Sequence, residues 1–594
     1  MNELESLNWS APKVVKTYNG DRVVRVAQPT PAFWGIWRSN KEDLKAAGVS
    51  CRKDRFGSWE VCRWSDVASE AVVEEAAGVV YPTLVEKPAS GRVAQRIEGF
   101  QAPPISLDIP WSEEQHTIFA EIRDGSGNFV IFARAGTGKT TVCKYGLMLA
   151  PERRIAYLVF LKKNQIEAQS KITDPRVEVL TMNALGYRFV RMFWSGARPD
   201  DEVEKYRVAC ACGQDSPDEA RAQVLKLVAF AKNCCLWPTV AELMDLADER
   251  GIELPDFESL GWTVERLAAC ALEVLKLSKV RDSEGRISYN DQVWLPVVMG
   301  WVVPLFDLIV LDEGQDTNLP GITMARKAVR TGGRMGIVGD DWQAIYGFRG
   351  AMQDGMAKMM TDLDAKRFPL TITRRCPKVV VRRAQLLVND YKAADDAPEG
   401  VEHFIRMNLL TSSVQVGDAI LSRLNAPLTP VCLQLLRKGI AARIEGKDIG
   451  KQLKNIATRL NARSVPQFIT KLENWADRML ARAKGSKRFE QKAELINDQK
   501  ETLLALADGV ANVREISERI DNIFEDTKGE SRPAVILSST HKAKGLEWDR
   551  VFVLDDTYRQ KEGEGEEARL YYVAITRTKK EIFYVSGEPE NKNN

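Results

Sequence analysis

Short apolar runs alternate with longer amphipathic stretches along most of this chain, and many of the runs end on glycine or acid. "NFVIFA" (128–133), "RIAYLVFL" (154–161), "DLIVL" (307–311) and "RMGIVGD" (334–340) are of this kind. Unbroken apolar runs of strand length, separated by helical patterns, predict strands buried on both faces in a parallel sheet. A second set follows: "QVGDAILSRLNAPLTPVCLQLLRKGIAARI" (415–444) reads strand, helix, strand, and "AVILSSTHKAKG" (534–545) and "RVFVLDD" (550–556) read as strands. Two stretches break the alternation. Residues 186–285 are mostly helical apart from the polar turn "RDSEGR", and residues 450–525 are helical and highly charged. "KEGEGEEA" (561–568) reads as a flexible acidic loop.

The first hundred residues follow a different pattern. "DRVVRVA" (21–27) and "GSWEVCRW" (57–64) predict strands, "PAFWGIWRSNKEDLKAAG" (31–48) a helix, and "EKPASGRVAQRIEGFQAPP" (86–104) a linker. Aromatic residues mixed with Lys and Arg can bind nucleic acid, but a small domain with a Trp-rich core and a solvated basic face is the favoured reading of this segment.

Composition narrows the class. At 594 residues the chain is too long for one core, and 44% hydrophobic with 28% charged residues is ordinary for a globular protein. The net charge of +2 means that any polyanion would be held by local basic tracks. No apolar run reaches membrane-spanning length, and "MNELESLNWSAPK" lacks a signal-peptide pattern, so a cytoplasmic protein is expected. The ten cysteines read as reduced thiols, and Cys210, Cys212, Cys234 and Cys235 lack a usual zinc-ligand spacing.

Chemistry gathers where the strands end. "ARAGTGKTT" (133–141) follows a strand and opens a helix, the setting of a phosphate-binding loop. Gly136 and Gly138 let backbone N–H groups approach phosphates, Lys139 supplies a point charge, and the Thr140 hydroxyl can ligate magnesium. Ala133 stands where the general pattern has its first glycine. In "LIVLDEGQDTN" (308–318) an apolar run stops at adjacent carboxylates. Asp312 would hold Mg2+ through water, and Glu313 would orient and deprotonate an attacking water.

The motifs, in order, are "WSEEQ", "ARAGTGKTT", "YLVFLKK", "TMNALGY", "ISYNDQVWLPV", "LDEGQD", "GDDWQAIYGFRGA", "LTITRRCP", "DAILSRLNAPL", "THKAKGLEWD" and "YYVAITRTK". From about residue 105 to 590 the chain resembles a superfamily 1 helicase of the UvrD/Rep type. The resemblance implies an α/β fold: two RecA-like parallel-sheet motor domains with helical insertions, plus the small α+β N-terminal domain. The expected domains are an N-terminal accessory domain and linker (1–104), a first motor (105–185 and 286–365) with a helical insertion (186–285), and a second motor (366–448 and 531–594) with a short helical insertion (449–530). The second insertion is shorter than is usual in the family.

The resemblance also assigns roles. ATP and Mg2+ would be the cofactors, held by Gly136, Thr137, Gly138, Lys139, Thr140 and Thr141. Gln115 would read adenine, and Glu547 would contact ribose or phosphates. Gln343 would sense the γ-phosphate, with Arg375 and Arg577 as arginine fingers from the second motor. Arg374 occupies the place of an aromatic that stacks on adenine, and a guanidinium can do the same. Thr181, Phe348, Arg349 and His541 would lie along a DNA strand. Asn183 and Ala184 replace the family's His and Ser, and Gly314 replaces an alanine, a change expected to cost little chemistry though glycine loosens the backbone. The implied activity is an ATP-dependent DNA helicase or single-strand translocase moving 3′→5′. Its partners would be single-stranded and tailed duplex DNA, with the N-terminal domain free to recruit a protein, and it would act as a monomer. An RNA-directed helicase of the same superfamily and an ATP-switched nucleic-acid-binding regulator are the competing readings.

Overall fold

The structure, a computed structural model, describes residues 13–17, 20–27, 49–53, 59–66 and 93–587, except 106–108, 214, 235, 250–261, 346–354, 485–488, 526–532 and 560–564. Met1–Thr83 and Leu84–Asn594 are two compact units.

In the first unit, β1 (Lys13–Thr17), β2 (Gly20–Ala27), β3 (Val49–Lys53) and β4 (Trp59–Asp66) form an antiparallel sheet in the order β1-β2-β4-β3. β2 and β4 match the two expected strands. β1 and β3 are short and carry lysines, and their apolar pattern is too brief to show in the sequence. The helix expected at 31–48 lies outside the described residues.

The second unit opens its first sheet with β5 (Phe129–Ala133), β6 (Ile155–Val159) and β7 (Val177–Thr181). A mainly helical segment follows, broken by the short pair β8 (Arg198–Pro199) and β9 (Arg286–Ile287). The sheet is completed by β10 (Phe306–Leu311), β11 (Val329–Gly339) and β12 (Lys366–Leu370). Its order is β12-β5-β11-β10-β6-β7, and every pairing is parallel. β5, β6 and β10 are buried at every position, as strands covered by helices on both faces must be.

A short pair, β13 (Ile372–Thr373) and β14 (Lys392–Ala393), leads to the second parallel sheet. Its strands are β15 (Val401–Arg406), β16 (Ala419–Ser422), β17 (Ala442–Glu445), β18 (Phe524–Glu525), β19 (Val535–Ser539), β20 (Trp548–Leu554) and β21 (Thr578–Ser586). They pair in the order β15-β21-β20-β16-β19-β17-β18. Helices Lys447–Leu460, Val465–Ala483, Phe489–Ala507 and Val513–Ile523 fill the chain between β17 and β18. The fold is therefore α/β with two RecA-like parallel sheets. Of the acidic stretch at 561–568, residues 561–564 lie outside the described residues, and Glu566 and Glu567 form the first turn of helix Glu566–Ile575 rather than a loop.

The helical segment between β7 and β10 has its own core, with Trp262, Trp294 and Trp301 among the buried residues. A charge cluster is buried within it. The Lys232 ammonium meets Glu204, Asp291 (2.6 Å) and the Ser278 hydroxyl (2.9 Å), and Arg207 meets the other oxygen of Asp291. Lys232 and Asp291 are both almost wholly excluded from solvent. The stretch expected as a linker is tied down from Val93 onward. Ala94 N–H donates to Thr331 O (2.9 Å), Gln95 N–H to Asp307 Oδ1 (3.1 Å) and Ile97 N–H to Pro151 O (2.8 Å), so residues 93–97 strap the first sheet at the start of β10 and β11. Among the described residues, no helix is long and apolar enough to cross a membrane.

Candidate active site

In parallel α/β sheets, loops at the carboxyl ends of neighbouring strands share one crevice. Here β12, β5, β11 and β10 are successive neighbours. Their carboxyl ends bring together Thr371–Arg375, the glycine loop, Asp340–Gln343 and Asp312–Asp316. All four of these loops were expected from the sequence to share a site, and the strand order explains how they meet.

The glycine loop runs from β5 into helix Lys139–Leu149. Gly136 (φ 70°) and Gly138 (φ 81°) both take left-handed backbone, which glycine adopts without strain. A Cβ on Gly136 would lie 2.5 Å from Arg375 Cβ and 2.6 Å from Thr373 Oγ1. The glycine thus also makes room for the chain that leads into the second sheet. Thr137 is buried, and its hydroxyl donates to Arg134 O (2.8 Å), so its side chain closes the loop from inside. Thr140 and Thr141 lie in the first turn of the helix, at the end where backbone N–H groups are unpaired and attract anions.

Lys139 Nζ lies 2.8 Å from Glu313 Oε2. Burial opposes the lysine's charge, but the carboxylates of Glu313, Asp312 and Asp340 outweigh it and raise its pKa. Burial also opposes the Glu313 charge, yet Lys139 and Lys544 hold that carboxyl down at about 2. Asp312 goes the other way: burial, and then the neighbouring Glu313 charge, push it up to about 6. The Tyr157 hydroxyl donates to Asp312 Oδ2 (2.7 Å), and Glu313 N–H donates to Oδ1 (2.9 Å). Glu313 itself has φ 51° and ψ 46°, a left-handed conformation unusual for a side-chain-bearing residue. Gln315 braces it, donating to Glu313 Oε2 (2.6 Å) and accepting from Asp340 N–H (3.1 Å). Gly314, expected to cost little chemistry, has a packing consequence that the sequence did not suggest. A Cβ at that position would lie 2.3 Å from Ile337 Cγ2, so an alanine there would press on β11 unless the Ile337 side chain moved.

Opposite lie groups carried by the second sheet and its approaches. Arg375 Nε is 2.6 Å from Glu547 Oε2. Arg577 is buried; it donates to Val573 O (3.0 Å), Leu546 O (3.3 Å) and Gln343 Oε1 (3.3 Å). Burial, and then the charge of Arg375, lower its pKa to about 10. Such an arginine is desolvated, and an anion would suit it. Gln343 Nε2 donates to Asp340 Oδ2 (2.7 Å). Lys544 bridges the two sheets, with Nζ 2.7 and 2.8 Å from the Asp316 oxygens and 2.6 Å from Gln343 O. The sequence reading gave no role to Lys544, Asp316 or Asp340. The first lies in "THKAKG" and the last in "GDDWQ", but only the fold shows that they meet.

The remaining expected positions are more scattered. Gln115 is buried, and its side chain accepts from Ser112 N–H (2.9 Å) in a capping box, which leaves its amide donors for a base. Arg374 donates to Pro110 O (2.5 Å), beside that same helix start, and its N–H donates to Gly136 O (3.0 Å). Thr181 caps helix Met182–Phe193 by accepting from Ala184 N–H (3.1 Å), while Asn183 donates to Tyr289 O (3.0 Å). His541 lies on the short helix Thr540–Ala543, after β19. Phe348 and Arg349 lie outside the described residues, as does Tyr346.

The oxygen chemistry fits a magnesium nucleotide. Mg2+ takes one or two protein oxygens and fills its octahedron with phosphate and water. Asp312 and Thr140 are hard donors of that kind, next to a loop that can cradle phosphates.

These features define a glycine-loop site, chemically suited to phosphates, at the junction of two parallel sheets. The sequence model of the UvrD-like helicase C-terminal domain matches residues 238–587, more than half of the chain. The chain therefore belongs to the UvrD-like helicase family. It is 24% identical over 79% of its length to "F-box DNA helicase protein 1" of Schizosaccharomyces pombe, 57% of which is covered. It is 22% identical over 79% of its length to "Probable DNA helicase II homolog" of Mycoplasma pneumoniae, 83% of which is covered. It is 24% identical over 40% of its length to "DNA helicase II" of Salmonella typhimurium, 34% of which is covered.

Proposed function

We propose that this chain is an ATP-dependent DNA helicase, or a translocase on single-stranded DNA, that moves 3′→5′. The observation that carries this reading is the meeting of Lys139, Asp312, Glu313 and Gln343 from the first sheet with Arg375, from the chain that leads toward the second sheet, and Arg577, from the second sheet itself. An ATPase that closes on its nucleotide needs cations on both sides of the γ-phosphate. The family relatives named as DNA helicases support DNA as the track.

In this reading the glycine loop and Lys139 bind the triphosphate, and Gln115 and Arg374 hold adenine. Thr140 and Asp312 would hold Mg2+, whose charge offsets that of the phosphates. The triphosphate would compete with Glu313 for the Lys139 ammonium and release the carboxylate to orient water. Arg375 would exchange Glu547 for a phosphate oxygen, and Arg577 would bind the γ-phosphate while Gln343 reports its presence. Thr181, His541, Phe348 and Arg349 are proposed to line the DNA strand. The two sheets would be motors at 105–185 with 286–365 and at 366–448 with 531–594. Residues 186–285 and 449–530 would be their insertions, and 1–104 an accessory region.

Steady-state ATP hydrolysis measured with no nucleic acid, with single-stranded DNA and with RNA tests the proposal. Stimulation by DNA, abolished by Lys139→Ala, is expected. Stimulation by RNA alone would favour the RNA-directed reading, and binding of ATP without turnover would favour a switch.

A further inference from the structure

Two residues of the phosphate loop, Arg134 and Ala135, precede its glycines, and both are held from the direction of the second sheet. Ala135 N–H donates to the Tyr572 hydroxyl (3.0 Å), and Ala135 O accepts from the Tyr391 hydroxyl (2.9 Å). Arg134 forks onto Asp390 (2.8 and 2.9 Å) and also meets Asp341. The two phenol rings are buried and lie edge to face, 5.8 Å apart.

Tyr572 does more than Tyr391. Its oxygen receives the Ala135 N–H, so its own proton is free to be donated, and it points to Asp340 Oδ2 at 3.2 Å. The same Asp340 oxygen accepts from Gln343 Nε2 (2.7 Å), and the carbonyl of that amide faces Arg577 (3.3 Å). Asp340 Oδ1 accepts from Trp342 N–H (3.2 Å) and faces Arg134 Nη1 (3.4 Å). One hydroxyl therefore joins the phosphate loop to the carboxylate that fixes which way the Gln343 amide points. Tyr572 sits on helix Glu566–Ile575, three residues before the helix end and five before Arg577. A shift of that helix carries the hydroxyl and the arginine together.

We propose that Tyr572 is a positioning residue for ATP hydrolysis: through Asp340 its hydroxyl sets the Gln343 amide in register with the phosphate loop. A buried phenol serving packing alone needs any one acceptor. This one ties a backbone amide of the first sheet's loop to a carboxylate that already orients a side chain of the site. The proposal rests on the ATPase reading above, and its test separates the two.

Tyr572→Phe removes one oxygen and keeps the ring, so folding is expected to survive; a melting temperature near wild type checks this. Hydrolysis is measured in single turnover with single-stranded DNA, in wild-type and Gln343→Ala backgrounds. Tyr572→Phe is expected to slow hydrolysis about tenfold in the wild-type background with the Michaelis constant for ATP within about twofold. In the Gln343→Ala background the further loss should be less than about twofold, because the two act as one unit. An equal loss in both backgrounds, or no loss in the wild-type background, would overturn the proposal. A wild-type protein that does not hydrolyse ATP would instead overturn the functional reading beneath it.

Discussion

Glu313 is where strain and charge concentrate. Its left-handed backbone follows directly from the fully buried end of β10, and Gln315 and Lys139 grip its carboxylate. Strain of this kind persists only where surrounding contacts over-determine it. Glu313→Gln is expected to keep nucleotide binding and slow hydrolysis by roughly 10²–10⁴-fold, the usual contribution of a positioned base. Equilibrium binding of a fluorescent ATP analogue beside single-turnover hydrolysis checks it, and hydrolysis at the wild-type rate would remove Glu313 from the role. Gly314→Ala restores the residue usual in the family, but here it presses a methyl group onto Ile337. Overpacking of this sort costs about 1–3 kcal/mol, so a lower urea midpoint is expected, and an unchanged one would show that Ile337 rotates away freely. At this scale the sequence carried the identity of the acids, lysine and arginines, because their chemistry is tied to short motifs. It did not carry the Lys139–Glu313 pair, the Lys544–Asp316 bridge or the Tyr572 contacts. Those depend on which strands are neighbours, and no local spacing records that.

The elements that were legible are those whose burial is uniform. β5, β6 and β10 are apolar throughout because both faces are covered, and such runs stand out. β1, β3 and β18 did not, since the five residues of β1 (KVVKT) and of β3 (VSCRK) mix basic with apolar side chains and β18 has only two residues. The strap at 93–97 was also hidden, because main-chain hydrogen bonds leave no mark on residue type. In the helical segment after β7, nothing in "EKYRVAC" or "AFAKNC" marks which charges are buried, yet Glu204, Arg207 and Lys232 are buried against Asp291. Lys232→Ala leaves the two buried carboxylates Glu204 and Asp291 to share the single cation Arg207 and is expected to cost about 3 kcal/mol. Urea unfolding measures this. A loss below about 1 kcal/mol would mean that the carboxylates find water or other partners.

For the whole molecule, the division at Thr83 and Leu84 and the strap just beyond it give a specific expectation about truncation. A chain beginning at Leu84 keeps the strap and should hydrolyse ATP as the full chain does. A chain beginning at Gln101 loses the contacts of residues 93–97 with Thr331, Asp307 and Pro151 and should melt at a lower temperature. Equal melting of the two would show that the strap adds nothing to the first sheet. The functional claim concerns movement, and strand displacement reports movement most directly. Duplexes carrying a single-stranded tail at the 3′ or the 5′ end of the loading strand are offered with ATP to the wild type and to Glu313→Gln. Release of the complementary strand from the 3′-tailed duplex, by the wild type alone and only with ATP, is the expected result. Release from the 5′-tailed duplex alone would contradict the direction, and equal release by Glu313→Gln or without ATP would contradict an ATP-driven motor.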